Sequence, residues 1–212
     1  MRKLLNLGDL IDRSADSSKL ALIDLSRVGK PKKYTHKEID QMVMAVARGL
    51  SNLKLDRGDR IAILAANSLE FITTYLGIMR AGMVAVPINH KFPMDTIEFI
   101  LSDADCKVVF ADEARCLQIP EGYKFFIFDS DAGSKFGKFL DYGEFETVMP
   151  SEDEVAMFLY TSGSTGRPKG VPLTHKGHLW VIEMRLKQKP EPDHRMLVAA
   201  PLYHMNGLAI CK

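Results

Sequence analysis

Apolar and polar residues follow two different periods along this chain, one helical and one extended. From Thr35 to about Leu53 the apolar residues recur every three or four positions, which predicts a helix with one buried stripe. Thr35 and Glu38 have the spacing of a capping box, so we expect this helix to begin there. Uninterrupted apolar runs such as IAILAA (61–66) are instead typical of strands buried on both faces.

The two patterns alternate through most of the chain. A second helix is expected from Asn67, which with Glu70 is expected to cap it, through Met79. After it we expect a strand MVAVPI (83–88), a helix over about 95–102, and the strands KVVFAD (107–112) and YKFFIFD (123–129). Strands joined by helices predict an α/β fold, with a mostly parallel sheet and helices on both faces.

Other stretches require separate predictions. The first 14 residues, MRKLLNLGDLIDRS, are expected to form an amphipathic helix, since two aspartates interrupt the apolar run before a secretory signal could form. Residues 130–154 lack a clear period and are expected to be irregular before the strand EVAMFLYT (154–161). A helix is expected from about Thr174, with core positions at helical spacing: Leu179, Trp180, Ile182 and Leu186.

Composition and charge exclude several classes of function. With 212 residues, 46% of them hydrophobic, the chain can build a substantial core. Its 28 basic and 27 acidic side chains nearly cancel, so binding to nucleic acid or to an anionic membrane has no global electrostatic support. The apolar runs fall far short of the roughly 20 residues of a membrane span. Three cysteines without a CxxC pair favour a reducing compartment, and we expect a cytoplasmic protein.

The segment YTSGSTGRPKGV (160–171) carries a strong chemical signal. It follows one predicted strand and leads into a second extended piece, VPLTH (171–175), so ordered structure frames the loop. Gly163 and Gly166 can adopt positive φ, which lets successive N–H groups converge on an anion. Hydroxyl donors and one positive charge surround them: Thr161, Ser162, Ser164, Thr165 and Lys169. These residues predict a polyphosphate site.

Common phosphate-binding patterns do not fit this loop. In a Walker A count from Gly163, Pro168 stands where the second glycine should be, and no G-x-G-x-x-G fingerprint is present. A flexible Gly/Ser linker would have no need of the Arg-Pro-Lys-Gly segment. Two alternatives remain open for such a loop: a kinase or ATPase with an atypical phosphate loop, and a non-catalytic nucleotide-binding module.

Two motifs in this chain resemble those of a known superfamily. YTSGSTGRPKGVPLTH (160–175) resembles, almost letter for letter, the phosphate-loop signature of the adenylate-forming enzymes: acyl-CoA synthetases, adenylation domains and luciferases. PLYHMNGL (201–208) looks like the next motif, in the form typical of acyl-CoA and aryl-CoA ligases. The resemblance implies the fold of that superfamily's N-terminal subdomain over the whole chain.

The resemblance also implies a chemistry. Such enzymes join a carboxylic acid to ATP as an acyl-adenylate with release of pyrophosphate, and a thiol, commonly that of coenzyme A, then captures the acyl group. It implies that Mg²⁺ shares the phosphate charge, and that residues of the loop hold the β- and γ-phosphates: Thr161, Ser162, Gly163, Ser164, Thr165, Gly166 and Lys169. His204 would be the catalytic histidine near the carboxylate pocket, whereas the bare sequence allows equally a hydrogen-bonded histidine at a strand end.

No metal site within the protein is expected. His175 and His178 lie three residues apart at a predicted helix start, but no third ligand accompanies them, so solvated or capping roles are expected instead. The identity of the carboxylic acid cannot be read from the sequence.

Several motifs that follow in the family are absent, because the chain stops directly after PLYHMNGL. We therefore expect residues 1–212 to be a partial N-terminal AMP-binding domain, without the remaining large-domain motifs and the C-terminal lid domain. The intact parent is expected to be the ligase and the isolated chain to be inactive. An unprotected sheet edge is expected to favour self-association.

Overall fold

The computed structural model of the chain describes residues 4–11, 13, 16–26, 29–128, 135–161, 166–187 and 195–210. A short 3₁₀ turn covers Cys116–Gln118. The other elements in chain order are β1 (Leu20–Asp24), β2 (Lys32–Thr35), α1 (His36–Ser51), β3 (Arg60–Leu64), α2 (Leu69–Arg80), β4 (Val84–Pro87), α3 (Met94–Asp103), β5 (Cys106–Asp112), β6 (Lys124–Phe128), α4 (Lys135–Phe139), β7 (Val155–Thr161), β8 (Lys169–Thr174), α5 (His175–Lys187) and α6 (Met205–Ile210).

The central feature is a six-stranded sheet in the order β6-β5-β3-β4-β7-β8. Neighbouring strands run parallel from β6 to β7, and the last pair, β7 and β8, is antiparallel. The predicted α/β fold with a mostly parallel sheet is therefore confirmed. A separate antiparallel pair, β1 with β2, precedes α1 and was not predicted from the sequence.

Helices cover both faces of the sheet, as predicted. On β3, Ile61 and Ile63 face a core shared with α1 and α2, whereas Ala62 and Leu64 face a second core formed with α3. Successive side chains of a strand point to opposite faces, so an uninterrupted apolar strand is the sequence expected between two helical layers. None of the helices in the described ranges is long and apolar enough to cross a lipid bilayer.

The ends of the first two long helices test the capping predictions. Thr35 caps α1: its hydroxyl accepts the Glu38 N–H, and the Glu38 carboxylate accepts the Thr35 N–H at 2.7 Å, so the predicted capping box is confirmed. The assignment of Asn67 as the cap of α2 is wrong. Ser68 holds that position, and its hydroxyl accepts the N–H of Phe71 at 3.1 Å. The Asn67 side chain is therefore free to bond elsewhere.

The predicted N-terminal helix is wrong for the described residues, because residues 4–11 contain a turn and no helix. The Asn6 amide donates to the Met79 carbonyl at 2.9 Å, and the buried Leu7 donates its N–H to Nδ1 of His175 at 3.1 Å. Gly8 lies so close to α2 that a β-carbon there would come within 2.2 Å of the Leu76 carbonyl. These tertiary contacts replace the local helical preference of the segment.

Residues 130–154 are less irregular than expected. Helix α4 lies among them, and Phe136 and Phe139 pack with Phe110 of β5 at centroid distances of 6.1 and 5.1 Å. The prediction of an irregular segment is thus wrong for residues 135–139, while residues 129–134 lie outside the described ranges. After α4 the chain passes α1 and α2: Asp141 donates its N–H to the Ala45 carbonyl at 3.2 Å, and Val148 donates its N–H to the Arg80 carbonyl at 3.0 Å.

Helix α5 buries a narrower stripe than predicted. Leu179 and Ile182 are in the core as expected, and His175, for which solvated or capping roles were expected, is buried with them. Trp180 is 61% exposed and Leu186 43% exposed, so their assignment to the core is wrong. Trp180 follows Leu179 by one position, which turns its side chain about 100° around the helix from the buried stripe.

The ion pair before β7 makes the stability of the fold dependent on pH. Glu154 accepts from Nε of Arg57 at 2.8 Å, and this bond holds the pKa of Glu154 at about 2, below its ordinary value of 4.5. Because the pKa is depressed in the folded state, the stabilisation is present above pH 4.5 and is lost as the pH falls through about 2.

We expect Glu154→Gln to lower the free energy of unfolding at neutral pH by about 1 kcal/mol, since Arg57 is half exposed and solvent weakens the pair. Urea unfolding of both proteins between pH 7 and pH 2 checks this result. The difference in free energy of unfolding between the two proteins should shrink as the pH falls from 4.5 towards 2. A difference that stays constant over this range would contradict the assignment, and Glu121→Gln, at an exposed turn residue, is the control.

Candidate functional site

The carboxyl ends of three neighbouring parallel strands lie at one edge of the sheet. Strand β7 ends at Thr161, β3 leads to Asn67, and β4 leads to His90. In open α/β sheets, ligands bind outside this edge, because the loops there meet and the helices begin there. The loop predicted to bind polyphosphate follows β7 directly, so it lies at the edge where a ligand is expected.

A β-hairpin holds the two ends of that loop together. Strands β7 and β8 pair in a register that sets Thr161 opposite Lys169 and Tyr160 opposite Gly170. Thr161 and Lys169 are both exposed. Residues 162–165 lie outside the described ranges, so the predicted contacts of Ser162, Gly163, Ser164 and Thr165 remain predictions. The hairpin nevertheless brings a cation beside the first hydroxyl of the motif.

Gly166 has the backbone conformation that the motif requires. Its φ is +89°, in the left-handed region, and a β-carbon built there would meet nothing within 4 Å. The glycine is therefore needed for its backbone angle and not for space. The positive φ expected of Gly166 is present, whereas its contact with phosphate stays a prediction.

Helix α3 supports both sides of the loop. The Tyr160 hydroxyl donates to Oδ2 of Asp103 at 2.6 Å, and the Arg167 guanidinium lies 5.2 Å from the centre of the Phe99 ring. Burial, and then the Asp103 carboxylate, raise the pKa of Tyr160, so its phenol remains a hydrogen-bond donor. These α3 contacts were not predicted, since no spacing pattern in the sequence links α3 to the loop.

Gly170 allows Tyr160 to reach Asp103. The tyrosine ring crosses directly over the glycine, and a β-carbon on Gly170 would come within 2.9 Å of Cζ of that ring. Any larger residue at this position would move the ring, and with it the bond to α3. The last glycine of the Arg-Pro-Lys-Gly segment is thus explained by packing against β7.

His204 lies on a short turn before α6. Its N–H donates to the Pro201 carbonyl at 3.0 Å, its carbonyl accepts the Leu208 N–H at 3.1 Å, and its side chain is exposed. The neighbouring Tyr203 ring packs edge-on against His90, at a centroid distance of 5.1 Å. His204 therefore precedes a helix, and the alternative assignment to a strand end is wrong. The His204 ring lies 4.9 Å from the Tyr203 ring, which in turn packs against His90 just after the end of β4, so His204 lies near the carboxyl edge of the sheet.

The two histidines of α5 have separate contacts. Nδ1 of His175 accepts the Leu7 N–H at 3.1 Å, and Nε2 of His178 lies 3.4 Å from the Met205 sulfur. Within the described ranges, no group of three or more His, Cys, Asp or Glu side chains is placed to hold a metal ion. The arrangement around Thr161, Gly166 and Lys169 instead suits an anion, which a cation, a hydroxyl and a left-handed glycine can bind together.

This chain is similar to known proteins over most of its length. The family model described as AMP-binding enzyme matches residues 12–211. A feruloyl-CoA synthase of an Amycolatopsis species is 30% identical over 188 residues, which cover 83% of this chain and 35% of that protein. The oxalate–CoA ligase of Arabidopsis thaliana is 29% identical over 192 residues, covering 82% of this chain and 36% of that ligase. The chain thus spans about a third of the length of these curated relatives.

Solved structures show the same architecture. The crystal structure of ATP-bound MatB from Rhodopseudomonas palustris matches with a TM-score of 0.84 and 29% identity, over 97% of this chain and 42% of that one. The inhibitor-bound N-terminal domain of FACL13 from Mycobacterium tuberculosis matches with a TM-score of 0.73 and 27% identity, over 85% of this chain and 47% of that one. The first similarity extends over nearly the whole chain.

Proposed function

Because this chain belongs to the family of AMP-binding enzymes, we propose that it supplies the triphosphate-binding loop of an ATP-dependent acid–thiol ligase. The observation that carries the proposal is the register of the β7–β8 hairpin, which sets Lys169 beside Thr161 at the carboxyl edge of a parallel sheet. An exposed ammonium group, a hydroxyl and a left-handed glycine at one loop suit the tail of a nucleotide triphosphate.

The reaction proposed has two steps. A carboxylate oxygen attacks the α-phosphorus of ATP, and the bond to the bridging oxygen breaks, so that pyrophosphate leaves with the electron pair and an acyl-adenylate remains. A thiolate then attacks the acyl carbon, and AMP leaves as the thioester forms. Two anions must meet in the first step, and negative charge grows on the departing pyrophosphate, so groups that stabilise this charge lower the barrier.

The loop would stabilise the β- and γ-phosphates. Lys169 supplies a positive charge, Gly166 shapes the backbone, and hydroxyl and N–H groups of residues 161–165 donate hydrogen bonds. Mg²⁺ would reach the site with the triphosphate, since this ion is commonly held by substrate phosphates with few protein ligands. It would neutralise part of the phosphate charge.

His204 would contact the acid, and coenzyme A would be the acceptor thiol. The exposed imidazole at the carboxyl edge supports the first assignment. Support for the second comes from relatives named for CoA ligation of ferulate, of oxalate and of a long-chain fatty acid. Since these names cover dissimilar acids, the proposal extends to a carboxylic acid and not to a particular one.

We further propose that residues 1–212 alone do not complete the reaction, because the curated relatives are about three times longer. Exposed apolar side chains on α5, Trp180 and Leu186 among them, support the prediction that the isolated chain self-associates. The cytoplasmic location stays a prediction.

Carboxylate-dependent exchange of labelled pyrophosphate into ATP tests the proposal. The natural protein that contains residues 1–212 should catalyse this exchange with at least one acid from a panel of short, long and aromatic acids, and should form AMP. The chain of residues 1–212 should not. A natural protein that instead forms ADP would be a kinase or ATPase, and one that binds ATP without turnover would be a binding module. Either result would overturn the proposal.

A further inference from the structure

Asn67 bonds to a segment more than 130 residues away in the chain. Its Nδ2 donates to the Ala200 carbonyl at 3.0 Å, and its Oδ1 accepts the Leu202 N–H at 2.9 Å. One side-chain amide thus satisfies a backbone acceptor and a backbone donor of the same segment, much as a neighbouring strand would. Only one orientation of the amide makes both bonds, so the contact is specific.

Asn67 itself is held firmly in place. The N–H of the preceding residue, Ala66, donates to Oδ2 of Asp112 at 2.8 Å, and Arg115 donates to the same oxygen at 2.9 Å. On the other side, Ser68 caps α2. Asn67 therefore lies between a strand and a helix whose ends are both fixed by side chains, and such a residue can hold a partner segment precisely.

The segment that Asn67 binds carries His204. Leu202 and Leu208 are buried on either side of the histidine, at 3% and 0% exposure. The turn between them is tight, because a β-carbon on Gly207 would come within 2.3 Å of the Pro201 carbonyl. Since the turn has little room to deform, a bond that fixes residues 200–202 also fixes the position of His204.

We propose that Asn67 is a positioning residue, whose amide holds residues 200–202 and thereby sets His204 at the carboxyl edge of the sheet. Its relevance to acyl transfer rests on the proposed function. Asn67 acts through the segment, so its loss should affect the handling of the acid more than the binding of ATP.

Amide hydrogen exchange tests the structural part of the proposal in the natural protein. In Asn67→Ala, the Leu202 N–H loses its acceptor, and we expect it to exchange at least about tenfold faster. In Asn67→Asp, the acceptor remains while the donor to Ala200 is lost, so the Leu202 N–H should stay protected. Unchanged exchange of Leu202 in the alanine variant would overturn the proposal.

Two control variants separate positioning from general stability. Asn52→Ala removes an exposed amide that bonds to Asp141 and not to the segment, and Thr35→Ala removes the cap of α1. Neither should change the exchange of Leu202 relative to other core amides. If Thr35→Ala accelerates Leu202 as much as Asn67→Ala does, the effect is global and the proposal fails.

Steady-state kinetics of pyrophosphate exchange test the functional part. Asn67→Ala should lower kcat/KM for the acid by about tenfold and leave the KM for ATP within about twofold, since the segment and not the phosphate loop is displaced, and Asn67→Asp, which keeps one of the two bonds, should lose less. An equal loss of kcat/KM for the acid and for ATP, or no loss in either variant, would overturn the functional part. If the unaltered protein forms no acyl-adenylate, the proposed function fails, while hydrogen exchange still decides whether Asn67 fixes the segment. If the alanine variant does not fold, Asn67→Leu takes its place in both measurements, because it keeps a branched side chain of similar size and also removes both bonds.

Discussion

Replacing Lys169 by alanine in the natural protein is expected to slow acyl-adenylate formation by about 100-fold or more. Lys169 lies opposite Thr161 across the hairpin and is exposed at the start of β8, so its ammonium group is available to the departing pyrophosphate. Removal of a single donor aimed at charge that develops in a transition state costs a factor of about 100 to 1,000. Because the side chain is exposed, the free energy of unfolding should change by less than about 0.5 kcal/mol.

Acid-dependent pyrophosphate exchange measures this effect. Lys176→Ala is the matched control, since Lys176 is an exposed lysine on the neighbouring helix that pairs with Glu152. It should retain nearly full activity. Lys169→Arg keeps the charge but presents it in a longer planar group. The rate of this variant should therefore lie between the rates of the unaltered protein and of Lys169→Ala. A Lys169→Ala protein that is as active as the unaltered one would refute the role proposed for the loop.

Replacing Arg80 by methionine is expected to lower the free energy of unfolding by about 3–5 kcal/mol. Arg80 is 2% exposed, and its Nη1 lies 2.6 Å from Oδ1 of Asp40 and its Nη2 3.6 Å from Oδ1 of Asp9. Both carboxylates are buried as well. In the methionine variant, Arg13, whose side chain is 40% exposed, would be the remaining cation that pairs with Asp9 and Asp40. A buried charge that has lost one of its partners destabilises the folded state.

Urea unfolding followed by circular dichroism measures the loss. Arg48→Met is the matched control, because Arg48 pairs with Asp141 at the surface, and it should cost about 1 kcal/mol or less. Adding Asp40→Asn to the Arg80 variant should recover part of the loss, since it removes one of the stranded charges. If Arg80→Met and Arg48→Met cost the same, the buried network does not stabilise the fold as inferred.

Local periodicity was sufficient to predict most of the fold. The capping box at Thr35, the apolar strand β3 and the long helices α1 and α2 all depend on residues a few positions apart, which one stretch of sequence displays completely. The family assignment was equally local, because the phosphate loop and the motif around His204 are continuous segments. These predictions are confirmed by the fold and by the family match.

The errors occurred where distant contacts compete with local preference. Residues 4–11 have the composition of an amphipathic helix, yet the bond from Asn6 to Met79 and the close approach of Gly8 to α2 impose a turn. Trp180 has the spacing of a core residue, but the sheet contacts only a narrow side of α5. Neither set of tertiary contacts can be recognised in the sequence, because the contacting residues lie dozens of positions away.

The sequence by itself determined most of the strands and helices from α1 onwards and the family. Only the tertiary structure decided that Asn67 binds residues 200–202 and not the start of a helix, that Tyr160 reaches Asp103, and that Arg80 is buried with two carboxylates. The reason is physical: a helix or strand depends on the periodicity of neighbouring residues, whereas the partner of a polar side chain depends on which distant segments the sheet brings within hydrogen-bonding distance.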